Sequence, residues 1–287
     1  MLQLSSSLVL GYVACGLVCS WVYFRRYQVS RPPVGVFNGR DLALMVPLLI
    51  LVPLLYLLLP LWLTAALWLL VTLSILSFTW EPLLPTRWSI WLVAVTLLAS
   101  DCGVAFMGTR QNAFFAVNDF AVLVIVVGIT NLWAQSGMKA RDTALLALLL
   151  APYDFITTIQ LPLMSELLTR LSALPLAPLV AWSSGHTLPS IGLGDLLLAG
   201  VFPLVMRKAF GRLAGLVALG LALATIGVLL ALPLQGGFPL MVVLGPLMGL
   251  QYLSWRRRGP ERTTGRYLLE EPMPPRKAPC TLRQETR

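Results

Sequence analysis

The sequence predicts an all-α, polytopic membrane protein with about nine transmembrane helices. Of its 287 residues, 57% are hydrophobic and only 11% are charged, whereas a soluble domain of this size carries about 25% charged residues. Apolar stretches of about 18–23 residues, long enough to cross a bilayer, recur along the chain. The predicted spans cover residues 5–24, 42–58, 61–79, 88–107, 113–135, 142–163, 190–206, 213–232 and 238–255.

The first span is predicted to be an anchor with its N-terminus outside. It has no basic segment in front of its apolar core and is followed by the basic stretch "RRYQVSR". This order of charge and apolar sequence does not fit a cleaved signal peptide.

The nearly unbroken apolar run over residues 42–79 is too long for one crossing. A single helix of that length would extend roughly 57 Å at about 1.5 Å per residue, whereas the hydrocarbon core is about 30 Å thick. The chain must therefore turn back. Pro60 in "LLPLW" is expected at the corner, because proline interrupts a helix.

The basic residues follow the positive-inside rule. With nine spans and an outer N-terminus, 19 of the 21 Lys and Arg residues fall on the cytoplasmic side, and only Arg110 and Arg170 fall outside. Merging the second and third spans would reverse every later loop and spoil this bias. We therefore expect an integral, multi-pass protein with its C-terminus in the cytoplasm, in the plasma membrane if the source is prokaryotic.

The chain divides into a membrane domain and a tail. Residues 1–255 are expected to form the nine-span domain, and its second half, about 142–255, carries the candidate site described below. Residues 256–287 are charged and rich in proline. They predict a basic, mostly disordered cytoplasmic tail that anionic lipids hold near the membrane.

Composition also argues against several kinds of partner. The net charge of +9 could suggest nucleic acid, but the basic residues lie between the apolar segments and in the tail, so no nucleic-acid partner is expected. The four cysteines lack metal-binding spacing and His186 is the only histidine. We therefore expect neither a metal site nor an organic cofactor, while the oligomeric state stays open.

Four aspartates lie inside the predicted spans, away from the first and last residues of each span: Asp101, Asp119, Asp154 and Asp195. A carboxylate near the centre of a membrane helix costs about 2.5–3.5 kcal/mol on insertion scales, so each needs a partner or a role. Asp154 and Asp195 fall in the outer halves of consecutive antiparallel spans, which predicts that they lie close together. Two such carboxyl groups share a proton, as general acid–base hydrolysis requires.

The residues beside these two aspartates favour a backbone that opens. Pro152 interrupts the helical hydrogen bonds two residues before Asp154. Gly192 and Gly194, on either side of Leu193, leave the approach to Asp195 without side chains. This permits a close substrate backbone or an irregular helix start.

Two stretches carry a family resemblance: "PYDFITT" in the sixth span and "GLGDLLLAGVF" in the seventh. They resemble the YD and GxGD motifs of the GxGD intramembrane aspartyl proteases, the family of presenilin and signal peptide peptidase. Signal peptide peptidase and the prokaryotic presenilin homologues are the most similar types. The resemblance implies that Asp154 and Asp195 are the catalytic pair. It leaves open whether Tyr153 orients them through its hydroxyl or only packs.

A third stretch, "GFPLMVVLGP", opens the ninth span, with Pro239 and Pro246 seven residues apart. It is similar to the family's Pro-Ala-Leu motif, with Leu240 and Met241 in place of Ala-Leu. The resemblance implies a substrate-binding edge for an opened strand. It also implies an endopeptidase that cleaves transmembrane helices or signal-peptide remnants in the type II orientation, by a water activated between two aspartates. Its partners would be transmembrane peptide or protein substrates within the lipid bilayer.

Other interpretations stay open. The GxGD aspartate also fits a prepilin-peptidase-like processing enzyme, and intramembrane aspartates also fit a non-proteolytic, proton-coupled transporter. Asp101, Asn118 and Asp119 have either a structural polar contact, with Arg110 as a possible partner, or a second functional cavity.

Overall fold

Helices occupy all nine segments that the sequence predicts as spans. The computed structural model describes residues 2–29, 39–108, 112–161, 163–172, 174–182, 188–232, 238–262 and 267. Arg31, Arg110, His186 and most of the predicted tail lie outside these ranges. The ten α-helices in the described ranges are α1 (Leu2–Arg26), α2 (Gly39–Leu58), α3 (Leu61–Trp80), α4 (Arg87–Met107), α5 (Asn112–Gln135), α6 (Ala140–Phe155), α7 (Leu163–Leu171), α8 (Leu193–Phe210), α9 (Arg212–Ala231) and α10 (Met241–Arg258).

Six helices within the described ranges are long and apolar enough to cross a membrane: α1, α3, α4, α5, α9, and α6 with the turn that follows it. Three other predicted spans do not meet both conditions. The apolar part of α2 covers only Ala43–Leu58, whereas α8 and α10 each carry three charged residues. The long apolar helices nevertheless indicate a membrane-embedded protein.

The corner in the long apolar run lies where the sequence predicts it. α2 ends at Leu58 and α3 begins at Leu61. The Pro60 carbonyl accepts hydrogen bonds from the N–H groups of Leu63 at 3.1 Å and Thr64 at 3.0 Å. Proline fits this position because the first N–H groups of a helix have no partner in the helix itself.

α5 and α8 form the centre of the bundle, since both bury side chains along most of their length. Polar groups between the central helices are paired: Ser20 Oγ lies 2.6 Å from Thr130 Oγ1, and Asn131 Nδ2 donates to the Ser20 carbonyl at 3.2 Å. The helix backbones also approach closely, because a Cβ added to Gly200 would lie 2.8 Å from Thr130 Cγ2. Close approach at small residues is typical of helix packing in membranes.

α10 packs against α6 through Gly245. A Cβ added at this position would lie only 2.6 Å from the Ala147 carbonyl oxygen, closer than two such atoms can come. The absence of a side chain therefore sets the separation of these two helices.

The sixth and seventh spans differ from their predicted boundaries. α6 continues past Phe155 as a π-helical turn, Ile156–Gln160, instead of running as one α-helix to residue 163. Residues 190–192, predicted to open the seventh span, form a strand, β2 (Ser190–Gly192), which pairs antiparallel with β1 (Leu179–Ala181). The backbone N–H and C=O groups of the two strands bind each other. The glycines before Asp195 also disfavour an earlier start of α8, because glycine has a low helix propensity.

A buried lysine binds backbone carbonyl groups at the end of the bundle where α5 and α8 finish. Lys208 Nζ donates hydrogen bonds to the carbonyl oxygens of Ala134 at 2.8 Å and Met138 at 2.6 Å. A cation at the C-terminal end of a helix satisfies carbonyl groups that have no partner in the helix.

The first residues of the predicted tail pack onto the same end. α10 continues to Arg258, three residues beyond the predicted boundary. Glu261 Oε1 accepts a hydrogen bond from the Ala140 N–H at 2.9 Å, and the buried ring of Tyr267 stacks on Phe24 with 6.0 Å between ring centroids. The segment that was expected to be disordered is therefore ordered over its first seven residues, 256–262, and at Tyr267.

We predict that Gly245→Ala lowers thermal stability whereas Gly220→Ala does not. Both changes add one methyl group and gain about 1 kcal/mol of helix propensity. Only Gly245 places that methyl group against backbone, because an added Cβ at Gly220 has no atom within 4 Å. Overpacking costs about 1–3 kcal/mol. The thermal unfolding midpoint in detergent measures the difference, and equal midpoints would contradict the tight contact between α6 and α10.

Candidate active site

Asp154 lies where α6 changes its winding. Pro152 is inside the helix, and the π-helical turn begins at Ile156, two residues after Asp154. The Thr157 hydroxyl donates to the Tyr153 carbonyl at 2.9 Å. A proline followed by a π-turn interrupts the regular backbone ladder, and such turns are frequent at functional sites.

Both oxygens of the Asp154 carboxylate accept hydrogen bonds. Thr158 Oγ1 donates to Oδ1 at 3.2 Å, and the backbone N–H of Met241 donates to Oδ2 at 3.0 Å. Met241 is the first residue of α10, so its N–H has no partner within that helix. The third motif therefore contacts Asp154 directly, through a backbone N–H group rather than through a side chain.

Asp195 is the third residue of α8, and α8 packs against α6. The carboxyl groups of Asp195 and Asp154 lie within range of electrostatic interaction. Asp195 and Asp154 are both partly exposed. Asp195 accepts no hydrogen bond from the described part of the chain, in contrast to Asp154.

The glycines before Asp195 leave space beside it, as the sequence predicts. A Cβ added to Gly192 would lie 3.7 Å from Asp195 Oδ2, and one added to Gly194, which is exposed, would meet no atom within 4 Å. Leu193 is buried, and its N–H donates to the Pro178 carbonyl at 2.9 Å. The space at Gly194, the residue next to Asp195, is therefore open.

The β-hairpin leads directly into the GxGD motif. Leu179 pairs with Gly192 and Val180 with Ile191. All three residues of β1 are buried, whereas Ser190 of β2 is exposed. β2 is thus the outer strand of a two-stranded sheet, and an outer strand has backbone groups available for another strand.

The predicted residues of the third motif open α10. Pro239 and Leu240 are buried, and their carbonyl oxygens accept the first hydrogen bonds of the helix, from Val242 at 3.2 Å and from Leu244 at 3.0 Å. Met241 is buried as well. The three predicted motifs therefore meet at one place, on α6, α8 and α10.

Tyr153 does not orient the aspartates by hydrogen bonding. Its hydroxyl is buried and has no hydrogen-bond partner in the described part of the chain. Thr158, by contrast, binds Asp154 directly and was not singled out from the sequence. Thr158 could have been identified from its position four residues after Asp154, because residues four apart share one face of a helix.

Asp101, Asn118 and Asp119 make polar contacts with backbone groups. They bind the backbone of the segment between α7 and α8: Asp101 accepts from the Leu176 N–H, Asp119 Oδ1 accepts from the Ala181 N–H at 3.1 Å, and Asn118 Nδ2 donates to the Leu179 carbonyl at 3.0 Å. The structure therefore shows the structural contact for these three residues, with backbone groups as the partners.

The site thus offers two carboxyl groups, a backbone donor and an open approach. Within the described ranges, no three His, Cys, Asp or Glu side chains are grouped so that they could hold a metal ion. No family model matches the chain, and no curated protein matches it either. The resemblance to the GxGD proteases depends on the three motifs.

Proposed function

We propose that this protein is an intramembrane aspartyl endopeptidase of the GxGD type, acting on transmembrane helices or signal-peptide remnants. One observation carries the proposal: the Asp154 carboxylate accepts the Met241 N–H of the third motif at 3.0 Å, and α6, which carries Asp154, packs against α8, which carries Asp195. Three separate stretches that resemble the family's motifs therefore converge on one pair of carboxyl groups. A chance resemblance of the three stretches would not require this convergence.

The proposed reaction is hydrolysis of a peptide bond by water held between the two aspartates. One carboxylate removes a proton from water as its oxygen attacks the carbonyl carbon, and the other carboxyl group gives its proton to the carbonyl oxygen. The C–N bond then breaks, a proton passes to the leaving nitrogen, and the products are an amine and a carboxylic acid. Asp154 suits the role of general base because two hydrogen-bond donors orient its oxygens. Asp195 lies next to the open space at Gly194.

A helical substrate must unwind before its carbonyl groups reach the aspartates, because each accepts a hydrogen bond four residues along. Strand addition would hold the opened segment. We place this edge at β2, whose Ser190 is exposed, with the start of α10 at Pro239 on the other side of Asp154.

The proposed topology has nine spans, an outer N-terminus and a cytoplasmic C-terminus. It is supported by the contacts at the basic end of the bundle, where Lys208 binds the last turn of α5 and Glu261 binds the first N–H of α6. Asp154 lies near the C-terminal end of α6 and Asp195 near the N-terminal end of α8, so both are far from this basic end of the bundle. The reaction would then take place in the outer half of the bilayer, on type II substrates.

The first test is cleavage of a type II signal-anchor reporter by the purified protein in lipid. We expect Asp154→Asn and Asp195→Asn each to lower the cleavage rate by about 10²–10⁴-fold, because each removes one partner in proton transfer. Glu166→Gln, which alters an exposed carboxylate on α7, should retain the parent rate. Product bands on a gel and the unfolding midpoints of all variants are the measurements.

Other outcomes would select a different function. Parent protein that cleaves only at a cytoplasmic site next to a basic leader would indicate a prepilin-peptidase-like enzyme. An uncleaved panel together with proton-coupled uptake that Asp154→Asn abolishes would indicate a transporter and would refute the proposed hydrolysis.

Thr158 gives a second prediction. We expect Thr158→Val to lower the cleavage rate by about 10-fold, because an oriented hydrogen bond to a charged group contributes about 1.5–3 kcal/mol. Thr158→Ser should restore most of the rate, since it keeps the hydroxyl that donates to Asp154 Oδ1. A valine variant that cleaves as fast as the serine variant would show that this hydrogen bond has no role in the reaction.

A further inference from the structure

We infer that Asn118 and Asp119 on α5 are positioning residues for Asp195, acting through the β-hairpin. The inference rests on the proposed function, because it concerns the placement of the proposed catalytic aspartate. Neither side chain touches the site. Both side chains bind β1, and β1 pairs with β2, the strand that leads into α8 and Asp195.

The first link joins α5 to β1. Asp119 Oδ1 accepts the Ala181 N–H at 3.1 Å, and Asn118 Nδ2 donates to the Leu179 carbonyl at 3.0 Å. The two side chains therefore bind one backbone donor and one backbone acceptor of the same three-residue strand. All of these groups are buried, where a bond between protein groups has little competition from water.

Apolar packing fixes the same strand. One turn before the polar pair, Phe114 and Phe115 of α5 form a buried cluster with Leu179 and Ala181. Spacings of three and four residues place all four α5 side chains along one face of the helix. β1 therefore lies along a single face of α5, held through Leu179 and Ala181 by both the phenylalanine rings and the hydrogen bonds.

The second link joins β1 to the GxGD motif. Leu179 pairs with Gly192, and Gly192 is the residue that precedes α8. The Leu193 N–H donates to the Pro178 carbonyl at 2.9 Å. The strand pairing therefore continues to within two residues of Asp195, so any shift of β1 moves the start of α8.

Leu176, three residues before β1, supports the same conclusion. Leu176 has a left-handed backbone, with φ of 55°, which is uncommon for a residue with a Cβ. It is fully buried. Asp101 accepts its N–H, and Trp68 Nε1 donates to its carbonyl. A conformation of this kind persists only where its surroundings fix it, so the segment before β1 has a single defined path.

The test measures hairpin register and catalysis separately. Val180→Cys with Ile191→Cys, in a chain whose native cysteines are replaced by serine, reports register. Opposed residues in an antiparallel pair have Cα atoms about 4.5–5.5 Å apart, which a disulfide can join. We expect Asp119→Ala and Asn118→Ala each to lower the yield of this disulfide by at least about fivefold. Without the cysteine pair, they should lower kcat by about 10–100-fold with little change in KM, since small displacements of a reacting group have effects of this size.

Two controls separate positioning from general stability. Asp119→Asn keeps the acceptor Oδ1 and should restore both disulfide yield and kcat. Asn131→Ala removes a similar buried amide from the same helix, one that binds Ser20 instead of the hairpin. It should lower the unfolding midpoint without changing disulfide yield or kcat.

The inference would be overturned if Asp119→Ala behaved like Asn131→Ala, with lower stability but unchanged disulfide yield and kcat. It would also be overturned if the disulfide yield fell while kcat stayed at the parent value. If the parent protein hydrolysed no substrate, the proposed function would fail. An unchanged disulfide yield in Asp119→Ala would then refute the hairpin contact independently.

Discussion

The structure depends on one constraint: a carboxylate among apolar helices needs a hydrogen-bond donor, and a regular helix has no spare backbone N–H to give. Three aspartates meet this constraint in the same way, each by accepting an N–H from a segment where the helical ladder is interrupted. Asp154 uses the first residue of α10, Asp101 uses the left-handed Leu176, and Asp119 uses β1. Each irregular segment therefore has one of its N–H groups bound, and each of these carboxylates has at least one oxygen bound to backbone. Either one alone would leave unpaired polar groups in an apolar environment.

The two ends of the bundle differ in the backbone groups that charged side chains bind. Where α5 and α8 finish, carbonyl groups lack partners, and the ammonium group of Lys208 binds two of them. At the other end, N–H groups lack partners, and carboxylates bind them. Cations at helix C-terminal ends and anions at freed N–H groups are each favoured by the peptide dipole. Lys208, one of the basic residues that predict the orientation of the chain, therefore also makes local hydrogen bonds in the folded bundle.

The sequence predicted the positions of the helices well because hydropathy and helix rise limit each crossing to about 20 residues. Pro60 was recognisable because proline cannot continue a helix. The β-hairpin was missed because each strand, "LVA" and "SIG", has only three residues, too few to show the alternation of apolar and polar side chains that indicates a strand. The aspartate pair and the third motif were found from the resemblance. Thr158 was not, although its spacing from Asp154 places it on the same face. The partners of Asp101 and Asp119 depend on tertiary contacts that no local pattern encodes.

Asp195 is the exception to the rule that each intramembrane aspartate binds a backbone donor. It lies in the first turn of α8, beside the open space at Gly194, and accepts no hydrogen bond from the described residues. A group left in this way is costly unless something outside the chain completes it. Water or a substrate carbonyl can do so, and neither could reach a carboxylate that was already enclosed like Asp119. The difference between the two aspartates is therefore one of access. Asp119 uses its donor to hold the chain in place, whereas Asp195 keeps its hydrogen-bonding capacity for a molecule that enters the site.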